Sequence, residues 1–184
     1  MKKGRGFMAD FKMAEALFKQ HPDENAVAIL RKGKDLVGFV FGKNIVTTTG
    51  DVYYAQKACG ETPTNNYTDM YLCSAHVGNN TMVKTDNRAN FTDIASTNKT
   101  KSANYPKTAD NDTDNTGNGA NIASWLFSYA AGDFNNASIA YAYVTKNAPG
   151  ASESLLCGIT FNGTWAKDAN TSAKVFVNHA ANGV

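Results

Sequence analysis

At 184 residues the chain has room for one domain with a sizeable core. Charged residues make up only 18% of it, while 21 asparagines and 18 threonines supply neutral hydrogen-bonding surface and favour turns and strands over helix interiors. The net charge of +2 excludes a strongly basic nucleic-acid binder, but it is unevenly spread: residues 1–43 hold nine of the 18 Lys and Arg against five of the 16 acids.

From Phe7 to His21 (FMADFKMAEALFKQH), Phe7, Phe11, Ala14 and Phe18 stand at helical spacing with Met8 and Leu17 alongside. This predicts an amphipathic helix with an aromatic stripe, ended by Pro22 and the residue before it. The apolar runs AVAIL (26–30) and LVGFVFG (36–42), separated by RKGKD, predict a β-hairpin with glycine in its turn. After NIVTTTGD (44–51), Thr49-Gly50-Asp51 offers a turn and an N-cap for a short helix, VYYAQKACG, closed by Gly60. From residue 70 strands alternate with long polar loops: 70–77, a short one near 91–96, then 121–131, 138–146, 154–161 and 173–180. Trp125, Phe127 and Tyr129 share one face, and Tyr141, Tyr143 and Thr145 alternate with small residues, the pattern of sheets packed on one another. The predicted fold is mainly β: an antiparallel β-sandwich of jelly-roll or Greek-key type over residues 44–184, preceded by a helix-and-hairpin docking arm over residues 1–43.

Asp110, Asp112 and Asp114 alternate in DNDTDNTGNGAN (110–121), the pattern that most invites a metal. An EF-hand needs Gly at its sixth position and Glu at its twelfth; counted from Asp110 these are Asn115 and Asn121, so an EF-hand is excluded. A turn-rich loop of Asx bonds is the reading, with a calcium loop of another type as the alternative. Cys73 and His76, three apart on a predicted strand, point to opposite faces and cannot readily share a zinc ion. Cys59, Cys73 and Cys157 read as reduced, buried thiols. No G-x-S-x-G, P-loop or dinucleotide fingerprint occurs, and no nucleophile, base and acid assemble, so the sequence reads as non-enzymatic and without a cofactor. Trp125, Tyr141, Tyr143 and Trp165 offer an alternative role, stacking on sugar rings, against packing within the sheets. No run of about 18 apolar residues suggests a membrane span, and the opening MKKGRGFMADF has no apolar stretch of the kind a secretory signal needs.

Four stretches carry a resemblance: KNIVTTTGDVYYAQKACGE (43–61), ANYPKTADNDTDNTGNG (103–119), WLFSYAAGDFN (125–135) and KVFVNHAANG (174–183). In this order and spacing they resemble small β-sandwich virion proteins of tailed bacteriophages, over roughly residues 43 to 184. The family's N-[LI]-V-T-x-x-G segment corresponds to Asn44–Thr48 and Gly50, and its YP…ND…DNTG loop to Tyr105, Pro106, Asn111, Asp112 and Asp114–Gly117. The resemblance implies a structural role in a virus particle assembled in a bacterial cytoplasm, with other virion proteins (major capsid, neck or tail subunits) as partners and a homo-oligomeric state. Capsid decoration is the preferred position, and neck, collar or tail the alternative. The basic arm is the expected contact element: Lys2, Lys3 and Arg5 for ionic contacts, and Phe7, Phe11, Leu17 and Phe18 for an apolar face.

Overall fold

The computed structural model describes residues 5–78, 81–108 and 122–180, with the backbone alone for 5–8, 108 and 180. Helix α1 (Arg5–Gln20) leads into a hairpin of β1 (Ala26–Lys32) and β2 (Asp35–Val46), turned at Gly33, whose φ of 61° suits glycine. Helix α2 (Thr48–Ala58) follows, then β3 (Asp69–His76), a 3₁₀ turn at Arg88–Asn90, and the short strands β4 (Phe91–Asp93), β5 (Lys99–Thr100) and β6 (Lys107–Thr108). Four long strands complete the chain: β7 (Ile122–Tyr129), β8 (Asn136–Thr145), β9 (Cys157–Lys167) and β10 (Thr171–Ala180). The N-cap of α2 is Thr47, two residues earlier than the expected turn, and its side chain accepts from the Gly50 amide at 3.1 Å.

The fold is mainly β and antiparallel with an N-terminal helix, but the strands do not form two separate sheets. They make one ten-stranded sheet in the order β4-β3-β8-β9-β2-β1-β10-β7-β6, with β5 beside β3. The sheet curls until its edges meet. Residues 99–108 tie them, because β5 pairs with β3 and the Lys101 amide donates to Thr68 O at 2.8 Å. The Ser102 amide donates to Leu126 O at 2.8 Å, and β6 pairs with β7. Period-2 patterning was consistent with either arrangement, since a curled sheet also buries one face of every strand.

The expected arm at 1–43 divides differently. The hairpin lies at the middle of the sheet, with β1 paired to β10 and β2 to β9, so residues 26–43 belong to the same body as 44–180. Sequence proximity made the hairpin look separate, whereas its long-range partners are more than a hundred residues away.

The concave face holds the main core: Ala28 and Leu30 of β1, Met70 and Leu72 of β3, Trp125, Phe127 and Tyr129 of β7, Val144, Ile159 and Val175. Tyr53 of α2 packs into the same core. The convex face carries two further covers. Helix α1 packs Phe11 and Ala14 on Val27, Ile29, Leu126 and Phe176, with Met13, Leu17 and Phe18 half-buried beside them. Over β3 and β8, Met82, Phe91 and Leu155 cover Cys73, Tyr141 and Tyr143. Much of the sheet is thus buried on both faces.

Candidate functional surfaces and polar clusters

The residues expected to meet a partner fall into three groups. Lys2, Lys3 and the loop carboxylates Asp110, Asp112 and Asp114 lie outside the described residues, and of Arg5 and Phe7 only the helical backbone is described. Phe11, Leu17 and Phe18 are committed to this chain: they belong to the cluster that seats α1 on its own sheet. The Phe11 ring stands 6.1 Å from Phe176 and 6.4 Å from Tyr105, with the Lys107 ammonium 4.0 Å from its centroid. An apolar stripe on a lone helix has to be buried, and the nearest apolar surface is the convex face of the sheet. Asp10, which periodicity did not single out, pins the helix: its carboxylate accepts from Arg31 at 2.6 Å and from Lys174 at 2.7 Å, on β1 and β10.

Three of the four resembling segments converge at one end of the sheet. The Asn44 side chain donates to Asn25 O at 3.0 Å and Asn178 O at 2.9 Å, and Ser124 Oγ donates to Asn178 Oδ1 at 2.7 Å. Thr47 Oγ1 donates to Leu155 O, joined there by Thr49 Oγ1 at 2.9 Å. A Cβ on Gly50 would stand 2.1 Å from Leu156 O, so only glycine lets α2 approach β9 here. Below the helix, Trp125 Nε1 donates to the Tyr54 hydroxyl at 2.9 Å, and that hydroxyl is hydrogen-bonded to His179 Nδ1. With the tyrosine oxygen accepting from tryptophan, its own proton goes to Nδ1, which places the imidazole proton on Nε2. Nε2 meets no partner among the described residues, and burial pulls the His179 pKa down to about 3.

A second polar cluster joins the 81–94 segment to the sheet. Asp93 accepts from Arg88 at 3.1 and 2.8 Å, from the Tyr143 hydroxyl at 2.8 Å and from the Cys73 thiol at 3.7 Å. Arg88 also donates to Pro149 O at 2.6 Å and lies 5.6 Å from the centroid of Tyr71, itself stacked on Tyr143. Burial, reinforced by the Asp93 carboxylate, pushes the Cys73 thiol well up and keeps it from being a thiolate. Cys73 and His76 have different carboxylate partners, since His76 Nε2 pairs with Asp86 at 2.9 Å. Among the described residues no group of three or more His, Cys, Asp or Glu gathers to hold a metal ion.

Exposure decides two further readings. Trp125, Tyr141, Tyr143 and Trp165 are all buried, as packing within the sheets expects, so none presents a ring for a sugar to stack on. Cys59, at the end of α2, is exposed, whereas Cys73 and Cys157 are buried. The surface that sequence reading missed lies on β2, where Leu36, Val37 and Phe39 are 44%, 58% and 43% exposed. Periodicity assigns the run 36–42 to the hairpin of the arm, with no contact role for its side chains. No family model, no curated protein and no solved structure matches the chain.

Proposed function

We propose that the chain is a non-enzymatic structural protein of a tailed-bacteriophage virion, a capsid decoration subunit that clamps neighbouring capsid subunits from outside. The observation that carries this reading is the role of the resembling segments. Thr47, Gly50, Tyr54, Trp125 and His179 lock the curled sheet to α2, Asn44 ties β2 to Asn25 and Asn178, and each donates to, accepts from or packs against the chain's own groups. Residues that make a family resemblance by holding a scaffold together fit a protein whose product is its shape and surface. The Arg88–Asp93–Tyr143 cluster behaves likewise, bonding one segment of the chain to another.

Quantitative mass spectrometry of purified particles of the encoding phage, with antibody-gold labelling, tests this. Many copies spread over the head are expected. A few copies at one vertex or on the tail would move the protein to a neck, collar or tail position. Absence from particles would overturn the virion reading.

A further inference from the structure

The exposed apolar row on β2 runs through a β-bulge. Phe41 and Phe39 stand opposite Val27 and Ile29, Gly38 opposite Leu30, and then Leu36 opposite Arg31, so Val37 is the extra residue. Directly opposite residues in an antiparallel pair share a face. Val27 and Ile29 lie under α1, and Arg31 reaches up to Asp10 on that helix, so Phe41, Phe39 and Leu36 all face the convex side. Without the bulge, Val37 would stand opposite Arg31 and Leu36 would turn to the concave side. The bulge therefore puts Leu36 in Val37's place at the outward end of the row.

That row has a neighbour. The His21 ring packs on Phe41 at a tilt of 46° with ring centroids 4.4 Å apart, which turns this side of α1 toward β2. Leu17 and Met13 precede His21 by one and two helical steps of four residues, so they stand on the same side, and both are half-buried. Met13, Leu17, Leu36, Val37 and Phe39 together border a shallow apolar surface between helix and strand. Exposed lysines frame it: Lys34 at the turn and Lys43 further along β2 on the convex side.

We propose that this surface is a protein-docking site whose partner is an apolar ridge flanked by carboxylates, on a different protein. The charge argues against a second copy placed symmetrically, because a two-fold contact would set Lys34 and Lys43 against their own equivalents. It argues less well for an anionic bilayer, since Asp35 sits at the turn beside Leu36. The surplus of basic residues in 1–43 thus acquires a place: part of it rims this surface. The choice of a protein as occupant rests on the structural-protein reading above; the location and charge of the surface do not.

The test is a titration of the ¹⁵N-labelled full chain, followed by amide shifts, with a synthetic peptide alternating Glu with Leu and Phe. Its Lys-for-Glu counterpart, phosphatidylcholine/phosphatidylglycerol vesicles and a single-stranded oligonucleotide are run beside it. Shifts confined to residues 13–21 and 34–43, produced by the Glu peptide and fading with salt, are expected. Affinity should fall about tenfold in Lys34→Glu/Lys43→Glu, which alters exposed side chains and keeps the fold. No response to the Glu peptide, an equal response to the Lys peptide, or shifts elsewhere would overturn the proposal. So would preferential binding of vesicles or oligonucleotide, or concentration-dependent self-association through the same residues. Carbodiimide cross-linking in purified particles separates the two readings. A chain present in particles but joined through other lysines defeats the docking surface alone, and a chain absent from particles defeats the virion reading while the titration still judges the surface.

Discussion

The two covers on the convex face do the same job by different means. Helix α1 satisfies its own backbone groups, so it needs only an apolar stripe and one pinning carboxylate, Asp10. The 81–94 segment has only a 3₁₀ turn and the three residues of β4 as regular structure, and its other amides must find partners elsewhere. The Arg88 amide donates to Glu153 O at 3.0 Å, the Val83 amide to Asp86 at 2.7 Å, and the Lys84 carbonyl accepts from Thr48 at 3.0 Å. Its side chains then act as clamps: Arg88 on Asp93, Tyr143 and Pro149, and Asp86 on His76. Regular structure lets burial alone attach a cover, whereas an irregular cover depends on a few polar residues whose loss has no substitute.

The sharpest break is removal of residues 1–20. If α1 were a detachable arm, the sheet would stay folded without it. Its loss instead uncovers Val27, Ile29, Leu126 and Phe176. At about 1.5–3 kcal/mol per buried side chain, this is comparable with the whole stability of a domain, about 5–15 kcal/mol. The truncated chain should aggregate or show no cooperative thermal transition. A soluble truncation with an unchanged melting temperature would restore the arm.

The next test sets the covers against each other. Arg88→Ala leaves Asp93 without its cation and Pro149 O without a donor, at a cost of about 2–3 kcal/mol given the partial exposure of the pair. Asp10→Ala releases Arg31 and Lys174, both able to turn to water, at about 1–2 kcal/mol. Urea unfolding with hydrogen exchange should show the larger loss for Arg88→Ala, with protection falling across residues 81–94 first. Equal losses, or global exchange in both variants, would mean that the covers are held alike.

Acid bypasses both covers and acts beneath α2. The folded pKa of His179, about 3, lies below the ordinary value near 6.5. Its contribution to stability is complete above 6.5, declines as the pH falls because the unfolded chain takes up the proton first, and is fully lost below about 3. At pH 4.5 the loss is about 2–3 kcal/mol relative to neutral pH. His179→Gln, which can still accept from Tyr54, should flatten this part of the pH profile. Identical slopes for the variant and the parent chain between pH 7 and 4.5 would remove His179 from the account.

The sequence made the elements legible and their companions hard to see. Helix α1, the hairpin, α2 and the long strands follow from periodicity and from Thr, Gly and Pro at the ends, because those signals act within a few residues. That β1 lies between β2 and β10, at the middle of a curled sheet, depends on pairings across the length of the chain that leave no local mark. The Arg88–Asp93 pair illustrates the same limit: the two are five apart, yet the clamp matters because Tyr143, fifty residues beyond Asp93, joins it. Trp125, Phe127 and Tyr129 on one face gave the core correctly, since alternation alone decides which residues of a half-buried strand point inward. The bulge at Val37 shifts that alternation by one residue, so that Leu36 rather than Val37 shares the outward side with Phe39.

The smallest expected effect follows from that bulge. Phe39→Ser and Val37→Ser replace side chains that are 43% and 58% exposed on a stretch of strand paired to β1. A side chain already half in water loses little burial, so each change should move stability by no more than about 0.5 kcal/mol. A row kept for internal packing would instead behave like Val27 or Ile29, where truncation opens a cavity beneath α1. Thermal melts of Phe39→Ser and Ile29→Ala separate the cases: near-parental stability in the first and a drop of about 2–5 kcal/mol in the second would mark the β2 row as surface. A comparable drop in both would return Phe39 to the core and leave the apolar row with no outward role.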